Sequence, residues 1–260
     1  MKVGICAKVT ADTDARLKPS ADGKSFDATG KVVVGPYDMF AVEAAIQAKE
    51  KQGADVVSFT VGSGDEVLAQ IRGTVLALGA GKAVLIDDPA LKGTDSLGIA
   101  RALAKAIARE GCELVFCGKQ AIDDDNVQVP AMVAELLGWA QVSRVVEFAL
   151  EGTTFTATRA MDGGVREVVT GALPVVITAE RGLNTPRYAK LPAILAAKSK
   201  PVENLKLDAL GLSAADVAPK ATVTGYSAPP DRPKGKMITG DADAMVKELV
   251  RLLRDEAKVL

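Results

Sequence analysis

The chain has 260 residues, which is enough for one large α/β domain or for one domain with an appendage. Hydrophobic residues make up 48% of the chain but aromatic residues only 4%, so Ala, Val, Leu and Ile must fill most of its core. A formal net charge of -1 argues against broad electrostatic binding to nucleic acid or to acidic membranes.

The sequence contains no histidine, which excludes Ser-His-Asp and Cys-His catalysis, histidine general bases and His-rich metal sites. Cys6, Cys112 and Cys117 show no metal-binding spacing, and we expect them to be buried thiols in a reducing compartment. We therefore predict no metal site. If the chain takes part in catalysis, a cofactor or a partner supplies the chemistry.

The apolar pattern predicts strands that alternate with helices in the first half of the chain. The predicted strands are Lys2–Val9, Ala54–Val61, Ala83–Ile86 and Glu113–Cys117. The predicted helices are Met39–Gln52 with Asp38 as its cap, a helix after the Gly62–Glu66 turn, and one from Thr94 or Asp95 to about Arg109. Thr10–Lys31 is predicted to be a long loop or an irregular hairpin. Strands separated by helices of this length indicate right-handed crossovers and a parallel sheet.

The second half begins with the acidic run Asp123–Asp125 and a helix that is predicted to start near Gln128 and to reach Trp139. Short strands are then predicted at Val142–Phe148, Phe155–Arg159, Val165–Thr170 and Pro174–Thr178. We expect these strands to extend the sheet in antiparallel fashion. The predicted fold class is α/β, a doubly wound, mainly parallel, Rossmann-like sheet with an antiparallel extension and a C-terminal arm.

The C-terminal region is less compact in its pattern. Ala228–Pro233 is predicted to be an extended linker, and Asp243–Ala257 an amphipathic helix. We predict an α/β domain at 1–200, which includes an exposed loop at 179–200, and an arm at 201–260. Periodicity leaves open whether the helix packs on its own domain or on another subunit.

Open α/β sheets bind ligands where loops leave the carboxyl ends of their parallel strands. Gly35–Asp38, Val61–Gly62 and Asp123–Ala134 would meet at such a crevice, where the start of a helix offers free N–H groups to a phosphate. The sequence has no G-x-G-x-x-G or Walker motif. The residues alone therefore leave open both a nucleotide site and an empty crevice lined by caps.

Three motifs in the sequence resemble those of a known protein family. They are Gly118–Asp125, Arg159–Gly164, and the stretch from Leu183 to Ile194 with its Leu-Asn-x-Pro-Arg-Tyr-x-x-Leu-Pro-x-Ile pattern. With these motifs in this order, the chain resembles the beta (small) subunit of electron-transfer flavoproteins from Met1 to about Pro201, and more loosely to its end.

The resemblance implies an adenine-nucleotide-binding fold with a structural AMP in the crevice. The base would lie beside the first strand and the Gly35–Asp38 turn, and the phosphate at the helix after the acidic run. Carried over position by position, the implied contacts are Cys6, Gly35, Pro36, Tyr37, Asp38, Val61, Asp123, Asp125, Asn126, Val127, Gln128, Val129 and Ala134.

The chain departs from the AMP-binding pattern at the expected phosphate position. AMP-binding members carry an Asn-Gln-Thr-Gly-Gln stretch where this chain has Val127–Ala131, so a Thr hydroxyl and one backbone donor are missing. Electron-bifurcating members have a Gln-Val pair here and hold a second FAD instead of AMP. Met161–Gly164 and Leu173–Pro174 favour the AMP type, and the second FAD stays the alternative.

The loop at 179–200 carries Leu183, Arg187 and Tyr188 among lysines, which without the resemblance would be interpreted as a solvated face. Only one aromatic residue is available for base stacking, so a nucleic-acid platform is not indicated. In the family this loop docks on acyl-CoA and related dehydrogenases. The resemblance implies that Leu183 is the apolar anchor and that Arg187 and Tyr188 contact the partner.

By the same resemblance the chain is an electron carrier subunit and not an enzyme. FAD would be held mainly by an alpha subunit, accept electrons from acyl-CoA or related dehydrogenases in fatty acid β-oxidation, and pass them toward a quinone oxidoreductase. The loop at Thr10–Arg16 would approach the flavin. The alternatives are a bifurcating subunit with its own FAD and a nucleotide-binding regulatory module without redox duty. The chain shows neither a signal peptide nor a run of apolar residues that could span a membrane, so a cytoplasmic location is expected.

Overall fold

A nine-stranded sheet forms the centre of the protein. This computed structural model describes residues 1–29, 31–232 and 234–260, and it leaves out the side chains of residues 26–29. Gly30, in the predicted N-terminal loop, and Pro233, in the predicted linker, lie outside the described residues. The chain separates into two compact units, Met1–Tyr226 and Ser227–Leu260.

The elements alternate along the first half of the chain, and strands dominate after residue 139. The strands are β1 (Lys2–Cys6), β2 (Val9–Ala11), β3 (Arg16–Pro19), β4 (Phe26–Thr29), β5 (Val32–Val34), β6 (Asp55–Val61), β7 (Lys82–Ile86), β8 (Leu114–Gly118), β9 (Ala140–Glu151), β10 (Thr154–Ala160), β11 (Arg166–Ala172), β12 (Val175–Ala179) and β13 (Val202–Leu205). The helices are α1 (Pro36–Gln52), α2 (Asp65–Gln70), α3 (Ser96–Glu110), α4 (Val129–Leu137), α5 (Leu191–Ala197) and α6 (Ala242–Arg251). α2 and α6 continue as π-helical turns at Ile71–Leu76 and Leu252–Glu256.

The strand order in the sheet is β11-β10-β9-β12-β8-β1-β6-β7-β13. β9, β12, β8, β1, β6, β7 and β13 are parallel to their neighbours in this order, whereas β10 pairs antiparallel with both β9 and β11. The prediction of a doubly wound, mainly parallel α/β sheet with an antiparallel extension is confirmed. After β1 the chain adds β6 on one side of that strand, and it later adds β8 on the other side of β1. The strand order therefore reverses between β1 and β8, which is the topological switch point of the sheet.

One strand was assigned to the wrong group. Pro174–Thr178 was predicted to extend the sheet in antiparallel fashion, but β12 lies between β8 and β9 and is parallel to both. Its five residues are all buried, as expected for a strand covered on both faces. A short apolar run cannot show to which neighbour it pairs, because the pairing is decided by packing remote in sequence.

Small aliphatic side chains fill both faces of the sheet, as the low aromatic content predicts. α1 covers one face with Ala41, Val42, Ala45 and Ile46, and α3 covers the other with Ala100, Leu103, Ala106 and Ile107. Phe116 is fully buried on the central strand β8, with its ring 5.2 Å from that of Phe148 in an edge-to-face arrangement.

Two predicted helix caps had different outcomes. Asp95 caps α3 by accepting hydrogen bonds from the amides of Leu97 (3.1 Å) and Gly98 (3.0 Å), which confirms one of the two predicted alternatives. Asp38 was expected to cap a helix starting at Met39, and this was wrong. α1 begins at Pro36, because proline at the first helical position needs no N–H partner, and Asp38 lies within the first turn.

The N-terminal loop is an irregular hairpin, in which β2 pairs with β5 and β3 with β4. Residues beyond β13 return over α3, where Asp95 also accepts a hydrogen bond from the amide of Lys220 (2.6 Å). Tyr226 donates its amide hydrogen to Gly23 O (2.7 Å) and so closes the first unit over the hairpin. Residues 221–226 are irregular in the structure.

The second unit, Ser227–Leu260, contains α6 with Asp241 as its cap. Met245, Val246, Leu249 and Val250 are exposed on this helix. Among the described residues, none of the helices is both long enough and apolar enough to cross a bilayer. The division into a domain at 1–200 and a partner-binding arm at 201–260 stays a prediction, and within the chain residues 201–226 belong to the first unit.

Candidate functional site

Asp38 connects the two loops that flank the topological switch. Its Oδ2 accepts a hydrogen bond from the amide of Lys8, just after β1 (2.8 Å), and its Oδ1 accepts one from the amide of Gly118, at the end of β8 (2.9 Å). A Cβ at Gly118 would lie less than 3 Å from backbone atoms of Tyr37 and Asp38, so glycine is required for this approach. The implied ligand residue Asp38 is thus a structural tie at the base of the crevice.

The carboxyl group of Asp38 is buried, and its ionisation is perturbed. Burial raises the pKa of Asp38 to about 7, although the two backbone N–H bonds and the charge of Lys8 act in the opposite direction. The two N–H donors explain why an acidic side chain occupies this buried place, since a carboxyl group can accept from both at once.

The acidic run after β8 lies across the crevice from Lys8. Lys8 Nζ lies 2.7 Å from Asp123 Oδ1 and 3.2 Å from Asp124 Oδ2, and Asp125 Oδ1 accepts a hydrogen bond from the side-chain amide of Gln120 (2.6 Å). Each carboxylate of the run therefore has a partner within the chain. These contacts make the three carboxylates hydrogen-bond and ion-pair partners within the protein.

Strained backbone follows in the same loop. Asp125 and Val127 have φ values of +49° and +56°, and for the β-branched Val127 this left-handed conformation is unfavourable. Backbone strain of this kind is found at ligand clamps, where the surrounding structure holds it in place.

The start of α4 provides the donors that the phosphate prediction requires. Within the described residues, the amides of Val127, Gln128, Val129 and Ala131 have no hydrogen-bond acceptor, and Pro130 has no N–H. α4 has nine residues, and its first turn carries no acidic side chain. This donor set has the chemistry of an anion site, with one donor fewer because of Pro130.

The base side of the crevice offers fewer free groups. Ala7 N donates to Phe59 O and Ala7 O accepts from Thr60 Oγ1, while Lys8 O accepts from Gly35 N. These carbonyl oxygens can accept a second hydrogen bond, but the amides of Ala7 and Lys8 are already used. The residues therefore fit a nucleotide phosphate well, and they fit an adenine ring mainly through carbonyl acceptors.

The remaining implied contacts line the same end of the sheet. Cys6 is opposite Cys117 in the β1–β8 register, and Val61 ends β6. Ala134 is buried on the inner face of α4, and Asn126 is exposed in the acidic loop. The hydrogen bond to Cys6, together with burial, raises the pKa of the Cys117 thiol, so this thiol stays protonated at neutral pH. Cys112 is also buried, and burial raises its pKa to about 12.

The loop predicted to meet a partner is clamped to α1. Arg187 donates from Nε to Glu43 Oε2 (2.9 Å) and from Nη2 to Glu43 Oε1 (2.8 Å), and it also pairs with Glu50. Glu43 is buried, and Asn184 Nδ2 donates to Phe40 O (2.9 Å). The segment 183–190 is therefore a fixed platform and not a loose loop.

The exposed apolar residues of this region are different from the predicted anchor. Leu183 is half-buried and packs against the core, whereas Tyr188 is 96%, Leu191 69% and Leu195 55% exposed. A cavity of about 210 Å³ beside Tyr188 opens between this segment, α1 and the π-helical turn. The periodicity of so short a segment does not show which of its leucines are exposed, and the role of Leu183 as the anchor stays a prediction.

A series of ion-paired side chains lies between the crevice and this platform. Lys119 Nζ lies 2.7 Å from Glu180 Oε2 and 4.7 Å from the centre of the Tyr37 ring, and Arg144 pairs with both Glu180 and Asp162. Lys8, Glu43 and Glu180 were all missed in the sequence. Their signal was weak, because their partners lie between 61 and 144 residues away along the chain.

Comparison with known proteins identifies the family of this chain. The family model described as "Electron transfer flavoprotein domain" matches residues 25–210. The electron transfer flavoprotein subunit beta of Bacillus subtilis (strain 168) is 38% identical over 261 residues, covering 100% of both chains. Those of Mus musculus and Homo sapiens are each 37% identical over 242 residues, covering 91% of this chain and 92% of theirs. The chain therefore belongs to the electron transfer flavoprotein family, as one of its beta subunits.

Proposed function

We propose that this beta subunit works as an electron carrier subunit in a heterodimer with an alpha subunit. Electrons come from acyl-CoA or related dehydrogenases, as in fatty acid β-oxidation, and leave toward a quinone oxidoreductase. FAD, held mainly by the alpha subunit, supplies the redox chemistry when bound. The beta subunit contributes position: it provides a rigid base and the surface on which the dehydrogenase docks.

The observation that carries this proposal is the clamped platform with its exposed apolar residues. Apolar surface is exposed beside lysines at Tyr188, on the segment that Arg187 fixes to α1, and at Leu191 and Leu195, on α5 directly after it. A few apolar anchors with a polar rim suit a transient partner, which must bind specifically and then be released. Because the segment is already fixed before the partner docks, it loses little conformational entropy on binding.

Within this proposal the predicted partner residues take different roles. Tyr188 contacts the dehydrogenase, and Leu191 is added as an anchor because it is exposed. Arg187 acts through its ion pairs with Glu43 and Glu50, which position the segment. Leu183 supports the platform from beneath, where it packs on the core.

We also propose AMP as a structural nucleotide in the crevice between β1 and β8. The unbonded amides at the start of α4 favour a phosphate there, beside Asn126, Val127, Gln128 and Val129. The carbonyl acceptors near Cys6 and Gly35 suit the amino group of an adenine. AMP has no redox role, so its effect would be on folding and on the shape of the subunit.

A second FAD in the same crevice is the alternative, and one observation favours it. Val127, Val129 and Pro130 replace polar or flexible positions of the AMP-binding pattern, which removes a donor from the phosphate site. A bifurcating subunit of this kind would be yellow and would oxidise NADH together with its partner. Family membership leaves no reason to prefer the third alternative, a regulatory module without redox duty.

Nucleotide content decides between these proposals. The chain is co-expressed with its alpha subunit, the purified complex is denatured, and the released AMP and FAD are quantified by chromatography and absorbance. One AMP and one FAD per complex are expected. Two FAD and no AMP would move the protein to the bifurcating class, and a single FAD without AMP would show that the crevice holds no nucleotide.

Electron transfer is tested on the same complex. Reduction of its flavin by an acyl-CoA dehydrogenase and substrate is followed by absorbance, with the dehydrogenase alone as the control. Reduction that saturates with increasing dehydrogenase concentration is expected. If no flavin dehydrogenase tested reduces the complex, the proposed electron source is wrong, whatever nucleotide the crevice contains.

A further inference from the structure

Lys8 links the two loops that border the topological switch. Its backbone is fixed, since its amide donates to Asp38 and its carbonyl accepts from Gly35. Its side chain then crosses to the loop after β8, where Nζ pairs with Asp123 and Asp124. These ion pairs connect Lys8 to two residues that follow it in the sequence by 115 and 116 positions.

The loop that Lys8 holds needs an external constraint. Asp125 and Val127 have left-handed backbone conformations, and this conformation is unfavourable for the β-branched Val127. The two ion pairs involve Asp123 and Asp124, immediately before Asp125, and the unbonded amides are those of Val127, Gln128, Val129 and Ala131. Without Lys8 the loop would lose both of these ion pairs and could relax.

The positive charge of Lys8 has a second effect, on the electrostatics of the phosphate position. Three consecutive carboxylates precede the anion-binding amides, and they would repel a phosphate. Burial lowers the pKa of Lys8, but its hydrogen bonds and ion pairs with Asp123 and Asp124 outweigh burial and leave the pKa raised, so the ammonium stays charged at neutral pH. Gln120, the partner of Asp125, is neutral and cannot offset charge in this way.

We propose that Lys8 is a positioning residue of the nucleotide crevice. It holds the strained loop so that the amides at the start of α4 face one ligand, and it offsets the charge of Asp123 and Asp124 beside the phosphate. The ligand class is an adenine nucleotide, whose phosphate chemistry is shared by AMP and FAD. This inference rests on the nucleotide site of the proposed function.

The test compares five forms of the complex with the alpha subunit: wild type, Lys8→Met, Lys8→Arg, the Asp123→Asn/Asp124→Asn pair, and the triple variant that adds Lys8→Met to that pair. Lys51→Met, at the exposed end of α1, is the control. Retention of AMP and FAD during dialysis is measured after denaturation. Hydrogen–deuterium exchange of peptides covering 119–131 is measured separately, because it requires no nucleotide.

Lys8→Met is expected to release nucleotide at least about tenfold faster and to exchange faster across 119–131, with α3 unchanged. Lys8→Arg should stay near wild type. The triple variant should regain retention relative to Lys8→Met, since the repelling charge is gone, although its loop stays mobile. The Asp123→Asn/Asp124→Asn pair should also loosen the loop, which gives a second route if Lys8→Met does not fold.

Wild-type retention and exchange in Lys8→Met would overturn the inference. Loss of retention in Lys8→Met without recovery in the triple variant would overturn the charge-offset role. If the wild-type complex releases only the FAD of the alpha subunit, the nucleotide site itself is overturned. Exchange across 119–131 would then still decide whether Lys8 positions the loop.

Discussion

At the scale of single residues, Asp38 ties two loops together, because its carboxyl oxygens accept hydrogen bonds from the amides of Lys8 and Gly118. The nucleotide contact that the resemblance implies for Asp38 stays a prediction. Burial of Asp38 favours the protonated form, and the raised pKa of about 7 follows. Its protonation should therefore be linked to folding near neutral pH.

We expect the stability difference between wild type and Asp38→Asn to shrink as pH rises from 5 to 8. A pKa raised above its unfolded value adds stability that is full below about pH 4 and is lost as pH rises through about 7. The difference should fall by at most ~1.4 kcal/mol per pH unit. Urea unfolding of the full-length chain at pH 5, 6, 7 and 8 measures it. A difference that stayed constant from pH 5 to 8 would mean that Asp38 is already ionised in the folded protein at pH 5.

Leu183, on the platform, and Leu191, at the start of α5, separate the effect on docking from the effect on stability. Leu191→Ala should slow electron transfer from the dehydrogenase about tenfold with little change in unfolding free energy, because Leu191 is 69% exposed. Leu183→Ala should cost ~1–2 kcal/mol of stability and affect transfer less, because Leu183 packs on the core. Stopped-flow flavin reduction and urea unfolding measure the two effects. The reverse pattern would restore Leu183 as the anchor.

At the scale of elements, the platform depends on an ion pair between segments that are distant in sequence. Arg187 approaches Glu43 on α1 with two of its nitrogens, and Gln47 Nε2 donates to the same carboxylate (3.0 Å). A buried carboxylate without its cation would be costly, so the pair fixes the register of the segment against the helix.

Arg187→Met should destabilise the chain by ~2–3 kcal/mol, because it leaves Glu43 buried without its charge partner. Adding Glu43→Gln should recover part of this loss, whereas Arg181→Met, in the same segment but exposed, should cost under ~0.5 kcal/mol. A double-mutant cycle from urea unfolding gives the coupling energy. Additive losses would show that the pair does not hold the platform.

At the scale of the whole molecule, the chain has two compact units that divide after Tyr226. The first unit contains the sheet, the buried apolar side chains on both of its faces, and the hydrogen bond between Tyr226 and Gly23. The second contains an amphipathic helix with exposed apolar residues, which we propose to bind the alpha subunit.

A chain of residues 1–226 should therefore fold but fail to assemble. Its thermal midpoint should lie within about 4 °C of the full-length chain, since its core is complete. Co-purification with a tagged alpha subunit should be lost, and the unfolding curve by circular dichroism serves as the control for folding. Normal assembly would place the alpha-binding surface within the first unit.

The sequence by itself determined the alternation of strands and helices, the parallel sheet and the family, because periodicity, caps such as Asp95 and ordered motifs are local signals. Only the tertiary structure placed β12 between β8 and β9, turned Asp38 inward, set Lys8 across from Asp123, and buried part of Leu183 while exposing Leu191. Those outcomes depend on packing and pairing between residues far apart in the chain, and no local pattern of residues encodes which distant partner they will meet.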